Sequence, residues 1–226
     1  MTKAARGRRR EPILRSRRII VKVGGSVLTA PNEEGVNRRV LGQIVSQVVE
    51  LREARRDVVL VSSGAIAAGV KRLGMKRIPS AIPERQAAAA VGQPILMEAY
   101  GRAFNRKGVE IGQVLLTHAD LDVRSRFLNA CNTFETLLAK GVIPIVNEND
   151  TVSIEEIQFG DNDILAAQVA QMVRAELVII LSDVDGLYDA DPGVTPGASL
   201  LRRVEGLPAK VVEVAGGSLN PLAHGG

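Results

Sequence analysis

Five short strings in this chain gather the side chains able to do chemistry. VKVGGS at residues 21–26 sets Lys22 just before Gly24 and Gly25. Paired glycines let a backbone approach a bound group closely. Successive N–H groups in such a turn form an anion-binding concavity, and Lys22 adds a point charge. SSGA at 62–65 offers the hydroxyls of Ser62 and Ser63 beside Gly64, able to cap a helix or to hold a carboxylate or phosphate. NENDTVS at 147–153 groups Asn147, Glu148, Asn149 and Asp150, and GDND at 160–163 adds Asp161, Asn162 and Asp163. Carboxylates grouped in a cleft can receive a substrate ammonium or water-shelled Mg²⁺; their spacing does not match an EF-hand. SDVDGLYDADP at 182–192 sets Ser182 and Asp183 where a ribose or phosphate chain could lie. Each string also has a plainer reading, since Gly, Asn, Asp and Ser favour tight turns and helix caps.

The elements that must position these strings alternate. Strand candidates are Ile19–Val23, Val58–Val61, Gly112–Thr117, Val142–Val146 and Leu177–Leu181. Most are near-continuous Val- and Ile-rich runs, as expected of parallel strands covered on both faces. Val36, Val40, Ile44, Val48 and Leu51 recur at helical spacing and predict one apolar stripe. Helices are also predicted over 84–105, 120–139 and 162–174. The Gly- and Pro-rich stretch after Asp183 reads as an extended loop, with a short strand near Leu200–Val204. Strand–helix alternation of this kind makes an α/β protein with helices on both faces of a sheet. Ligands then bind beyond the carboxyl ends of the strands, which is where the five strings fall.

Composition narrows the possibilities. The chain has 226 residues, 46% hydrophobic but only 3% aromatic, so Ala, Val, Ile and Leu must fill its core. No apolar run approaches the roughly 18 residues of a membrane span, and no secretory signal is recognisable; the expected setting is cytoplasmic. Cys131 stands alone, so no internal disulfide forms, and it reads as a small buried hydrophobe. The histidines are His118 and His224, too few for a Cys/His metal cluster. Residues 1–18 hold eight Lys or Arg against Glu11, a net +7, while the remaining 208 residues carry 21 basic and 24 acidic side chains, a net −3. The basicity therefore belongs to a leader, read as disordered and solvated over 1–18, with one domain over 19–226. Aromatic residues for base stacking are absent from the leader, which argues against nucleic acid as a partner. There is no Walker A loop: in GAIAAGVK at 64–71, Val70 stands where the lysine belongs. There is no G-x-G-x-x-G fingerprint either.

Together, VKVGGS (21–26), SSGAIAAG (62–69), RQAAAAVGQ (85–93), LLTHAD (115–120), RFLNACNT (126–133), PIVNENDTV (144–152), FGDNDILAA (159–167) and LSDVDGLYDADP (181–192) resemble the amino acid kinase family, and within it the glutamate 5-kinases. The resemblance implies a three-layer αβα sandwich with a mainly parallel sheet. It implies transfer of phosphate from ATP to the γ-carboxylate of L-glutamate, the first step of proline biosynthesis, in an enzyme that is often a homo-oligomer. By motif match, Lys22 contacts the ATP phosphates as the catalytic cation. Ser63, Asp150 and Asn162 hold glutamate; Ser182 and Asp183 contact the nucleotide; Gly24, Gly25, Asn147 and Asp161 support the site. Acetylglutamate or aspartate as acceptor, and a non-catalytic regulatory role, are the alternatives.

Two positions depart from the pattern. Glutamate 5-kinases usually carry Gly-Thr-Ser after the first strand, where this chain has Gly24, Gly25 and Ser26. The family also continues with a Gly-Thr-Gly-Gly-Met loop leading to a second lysine, where this chain reads Leu222, Ala223, His224, Gly225 and Gly226. The expectation is a kinase domain incomplete at its C-terminus that binds glutamate better than it turns it over. The chemistry stands without the family name. A γ-carboxylate of reference pKa about 4.3 is already an anionic nucleophile, so no general base is required. The task is to bring two anions together, by positioning and by fixed positive charge and N–H donors. Asp150 then belongs at the substrate ammonium, away from the phosphoryl group, and Mg²⁺ is expected to be carried with ATP.

Overall fold

A computed structural model describes residues 13–28, 36–153 and 162–206. The Val- and Ile-rich runs form five strands: β1 (Arg18–Val23), β2 (Asp57–Ser62), β3 (Ile111–Leu116), β4 (Ile143–Glu148) and β5 (Leu177–Leu181). They pair side by side in the order β3-β4-β2-β1-β5, and every pairing is parallel. Seven helices are described between them: α1 (Gly25–Leu28), α2 (Arg38–Glu53), α3 (Ala65–Arg72), α4 (Ile82–Asn105), α5 (His118–Asp122), α6 (Arg124–Ala139) and α7 (Asn162–Met172).

Strand alternation sorts the core into two layers. Ile19, Val21 and Val23 of β1 join Val58, Leu60, Ile143 and Ile145 beneath α2 and α4, with Leu41, Val45, Leu96, Tyr100 and Phe104 packed on them. Ile20, Val59, Val61 and Val146 face the other way, under Phe134 of α6 and Leu165, Val169 and Met172 of α7. The chain is thus a three-layer αβα sandwich. Lys22 has the parity of Ile20 and so points to the α7 side. Asn147 has the parity of Ile145 and points to the α4 side.

Several local features differ from the sequence expectation. The α2 stripe is centred on Leu41, Ile44, Val45, Val48 and Val49, with Val40 and Leu51 only partly buried and Val36 buried ahead of the helix. Asn37 caps α2 by accepting from the N–H groups of Arg39 and Val40, at 3.1 and 3.0 Å. The helix expected over 120–139 is two. Thr117 and Asp120 form a capping box that starts α5 at His118, and the extended backbone of Val123 separates it from α6. β4 runs on through Asn147 and Glu148, so these side chains are held by a strand rather than by a turn. No strand forms at 200–204: Leu200 makes only an isolated antiparallel bridge to Tyr188. β5 is a sheet edge among the described residues, and Val178 and Ile180 are 38% and 50% exposed, unlike the doubly covered β1, β2 and β4. Cys131 is half-buried against the second core layer rather than fully buried, and desolvation raises its thiol pKa.

Arg18, expected at the end of the leader, begins β1. Its guanidinium donates to Asp57 Oδ2 (3.2 Å), to Glu135 Oε1 (2.5 Å) and to the Val173 carbonyl (2.6 Å), joining β1 to β2, α6 and the end of α7. Residues 1–12 of the expected leader lie outside the described residues, as does the loop start at 222–226.

Candidate active site

Because the strands are parallel, β1, β2, β4 and β5 end on the same side, and their trailing residues converge there. Gly24 continues from β1 and donates its N–H to the Leu181 carbonyl at 2.9 Å. A Cβ at Gly24 would stand 3.1 Å from that oxygen, so a side chain would push β1 from β5. Ser63 donates its N–H to the Val23 carbonyl at 3.1 Å. A Cβ on Gly25 would sit 3.7 Å from both Ser63 Cβ and Gly64 N. The two glycine turns therefore lie against each other. Gly64, at φ 108°, adopts the left-handed conformation that glycine tolerates without strain.

What holds the second turn in place is helix packing. A Cβ at Gly69 of α3 would fall 1.7 Å from the Ala88 carbonyl oxygen, and one at Gly92 of α4 would fall 1.7 Å from that of Ala65. The backbones of α3 and α4 touch directly, which no larger residue at either position permits. α4 is thereby drawn to the site with the SSGA turn.

Lys22 is 4% exposed, and its Nζ lies 2.6 Å from Oδ1 of Asp163. A buried ammonium needs such a counter-charge. Asp163 follows Asn162, the first residue of α7. The Asn162 side-chain amide turns the other way and donates from Nδ2 toward Ser63 Oγ (2.7 Å), Asn147 Oδ1 (3.0 Å) and the Ser62 carbonyl (3.2 Å). Asn147 in turn donates from Nδ2 to Gln93 Oε1 of α4 at 2.9 Å. Ser62 Oγ shares a buried 2.9 Å hydrogen bond with the Tyr100 hydroxyl, and burial pushes the Tyr100 pKa well above its ordinary value. Thus α7, the β2 end, the β4 end and α4 are joined by one polar chain.

Beyond β4, the Ser153 hydroxyl donates to Glu148 Oε1 (2.9 Å) and to the Asn149 carbonyl (3.0 Å), closing the turn that carries Asp150. Burial pushes the Asp150 carboxyl up to about 6, partly offset by the positive charge of Arg85. A carboxyl raised by desolvation gains from any cation that arrives beside it. Ser182 and Asp183 follow β5 on the exposed side, with Ser182 Oγ donating to Asp183 Oδ1 at 3.2 Å. They adjoin the Gly24 turn through Leu181.

Lys22, Gly24, Gly25, Ser63, Asn147 and Asn162 are thus brought together directly, and Asp150 lies on the turn that leaves β4. Ser182 and Asp183 adjoin the glycine turn but make no described bond to the amide network. Asp161 lies outside the described residues. Sequence reasoning missed Asp163 as the partner of Lys22, and missed Gln93, Tyr100 and Arg85. For Gln93 a signal existed: a polar side chain directly after Gly92, on the helix face that also buries Ala88, Ala89 and Leu96.

A parallel sheet with helices on both faces and polar side chains gathered beyond its carboxyl end defines the α/β class, in which ligands bind beyond the strand ends. More narrowly, the chain matches the model of the amino acid kinase family over residues 17–223 and belongs to that family. It is 49% identical over 210 residues to the glutamate 5-kinase of Geobacter sulfurreducens, covering 93% of this chain and 56% of that protein. It is 50% identical over 215 residues to a glutamate 5-kinase of Thermus thermophilus, covering 95% and 57%. For the glutamate 5-kinase of Carboxydothermus hydrogenoformans the identity is 48% over 217 residues, covering 96% and 58%. The chain spans little more than half the length of these curated relatives. Among solved structures it shares the fold of a UMP kinase from Ureaplasma parvum, with a TM-score of 0.56 at 20% identity over 82% of this chain and 75% of that one.

Proposed function

We propose that the crevice binds L-glutamate and the phosphates of ATP, and serves transfer of the γ-phosphoryl group to the substrate γ-carboxylate. A carboxylate oxygen forms the new bond to phosphorus as the bond to the ADP oxygen breaks; the products are glutamyl 5-phosphate and ADP. This is the step that opens proline biosynthesis. The observation that carries the reading is the split at the start of α7. Asp163 holds the buried Lys22, while the adjacent Asn162 reaches Ser63 and Asn147. A cation for phosphate and an amide cluster for an amino acid are thereby set side by side.

Each residue has a role in this reading. Lys22 and the N–H groups around Gly24 and Gly25 offset the repulsion between phosphate and carboxylate. Ser63 and Asn162 bind glutamate, with Asn147 orienting the Asn162 amide. Asp150 receives the ammonium, and its desolvated carboxyl gains most when that cation arrives. Ser182 and Asp183 meet the nucleotide, and Asp161 supports the glutamate side. Among the described residues no three His, Cys, Asp or Glu side chains converge as metal ligands; Mg²⁺ is proposed to be carried in on ATP, whose phosphates supply its oxygen ligands. A cytoplasmic setting and a homo-oligomer belong to the same proposal. No helix among the described residues is long and apolar enough to cross a membrane.

The test is calorimetric titration with L-glutamate and with N-acetylglutamate, followed by trapping of acyl phosphate with hydroxylamine. Binding of glutamate in preference to the acetylated ligand is expected, because acetylation removes the charge that Asp150 would meet. Preference for N-acetylglutamate would overturn the reading.

A further inference from the structure

The geometry points to Arg85 as the residue that receives the substrate α-carboxylate, across from Asp150 at the ammonium; this rests on the glutamate reading above. A free α-amino acid brings both charges into the crevice, and burying either one without a counter-charge is costly. Lys22 is already paired with Asp163 at 2.6 Å and faces the phosphate side. The α-carboxylate therefore needs another cation, close to Asp150.

Arg85 lies in the first turn of α4. The next residue, Gln86, donates from Nε2 to the Ser153 carbonyl at 3.3 Å. Ser153 in turn closes the Asp150 turn through Glu148 and Asn149. The start of α4 is thus tied to the segment that carries Asp150. The Nε of Arg85 is buried and has no hydrogen-bond partner among the described residues. Arg85 and Asp150 interact electrostatically, yet among the described residues no ion pair joins them. Eight residues, about 12 Å, further along α4, Gln93 Nε2 is also buried without a partner among the described residues, while its Oε1 accepts from Asn147 at the amide network. Buried donors are rarely left unmet. The Arg85 donor, next to the Gln86–Ser153 tie to the Asp150 turn, marks the start of α4 as a receiver for an anionic group. The site so built takes an amino acid with both α-groups free.

Calorimetry on the 226-residue chain tests this with two ligands: L-glutamate, and its α-amide, which keeps the ammonium and γ-carboxylate but replaces the α-carboxylate with a neutral amide. The wild-type chain is expected to prefer L-glutamate by roughly 10- to 100-fold, the range of a hydrogen bond to a charged group. Arg85→Gln is expected to weaken L-glutamate by about that factor and to leave the α-amide nearly unchanged, so the preference disappears. Arg85→Lys is expected to restore part of it. Binding of the α-amide reports that the variant site is folded. If Arg85→Gln weakens both ligands equally, Arg85 acts only through Asp150 and the assignment is overturned while the glutamate reading stands. If the wild-type chain binds neither ligand, the glutamate reading fails and the assignment with it.

Discussion

The two ends of the sheet use polar side chains in opposite ways. At the amino end the charges meet one another. Arg18 reaches Asp57, Glu135 and the Val173 carbonyl, and Arg56 donates to the carbonyls of Leu14 and Ser16. An open hollow there is lined by Arg15, Arg17, Arg55 and Arg56, yet Asp57 stands among them and its neighbours hold backbone in place. At the carboxyl end the polar groups are more deeply buried, Lys22, Ser62, Asn147, Glu148 and Ser153 among them, and Arg85 Nε and Gln93 Nε2 are left without partners among the described residues. Cationic charge alone therefore does not mark the site. A buried polar network that draws α7, β2, β4 and α4 together does.

The sharpest way to break this contrast is Lys22→Met. Loss of one preorganised charge at the reacting group is expected to cut phosphoryl transfer by about 10²–10³-fold. Hydroxamate formation per mole of folded protein measures it, and a rate close to wild type would remove Lys22 from the chemistry. The next largest effect is on the scaffold of the same end. Gly92→Ala sets a methyl against the Ala65 carbonyl and is expected to cost about 3 kcal/mol, the upper range for overpacking. Denaturant unfolding reads this, and an unchanged midpoint would mean that the α3–α4 contact yields freely.

Asp150→Asn separates binding from stability. The Asp150 carboxyl titrates near 6 in the folded chain against 3.8 unperturbed. The fold therefore favours its protonated form. Its contribution to stability is greatest below about pH 4 and is lost as pH rises through about 6. The variant is expected to melt higher than wild type above pH 6 while binding L-glutamate roughly 10- to 100-fold more weakly, by loss of one charge-assisted contact. A variant that melts lower at pH 7 would show that Asp150 is held by partners instead of awaiting one. The smallest change is at the opposite end. Arg18→Ala is expected to cost about 1–2 kcal/mol, since its carboxylate partners are half exposed and solvent screens them. Glutamate affinity per folded molecule should stay unchanged; a loss there would couple the two ends.

Much of this layout was legible in the residues. The Val- and Ile-rich runs place all five strands to within one or two residues, and the strings after β1, β2 and β4 meet at the start of α7. What misled was local grammar. Asn147 and Glu148 lie beyond the strand expected over Val142–Val146, but pairing with β3 carries the strand through both. Residues 120–139 keep helical spacing across Val123, and spacing alone does not register a backbone break. β5 reads as doubly covered, because an apolar run looks alike at a sheet centre and at an edge.

By itself the amino-acid sequence determined the alternation of elements, the apolar faces and the family, because these follow from local periodicity and from strings of fixed order. Which polar groups pair was decided only by the tertiary structure. Lys22 and Asp163 are 141 positions apart, and the Ser63–Asn162–Asn147–Gln93 chain draws its members from separate elements. These contacts depend on strand order, side-chain parity and the close crossing of α3 on α4. A hydrogen bond is made or lost over less than an ångström, a precision that periodicity does not encode and that packing of the whole sandwich supplies.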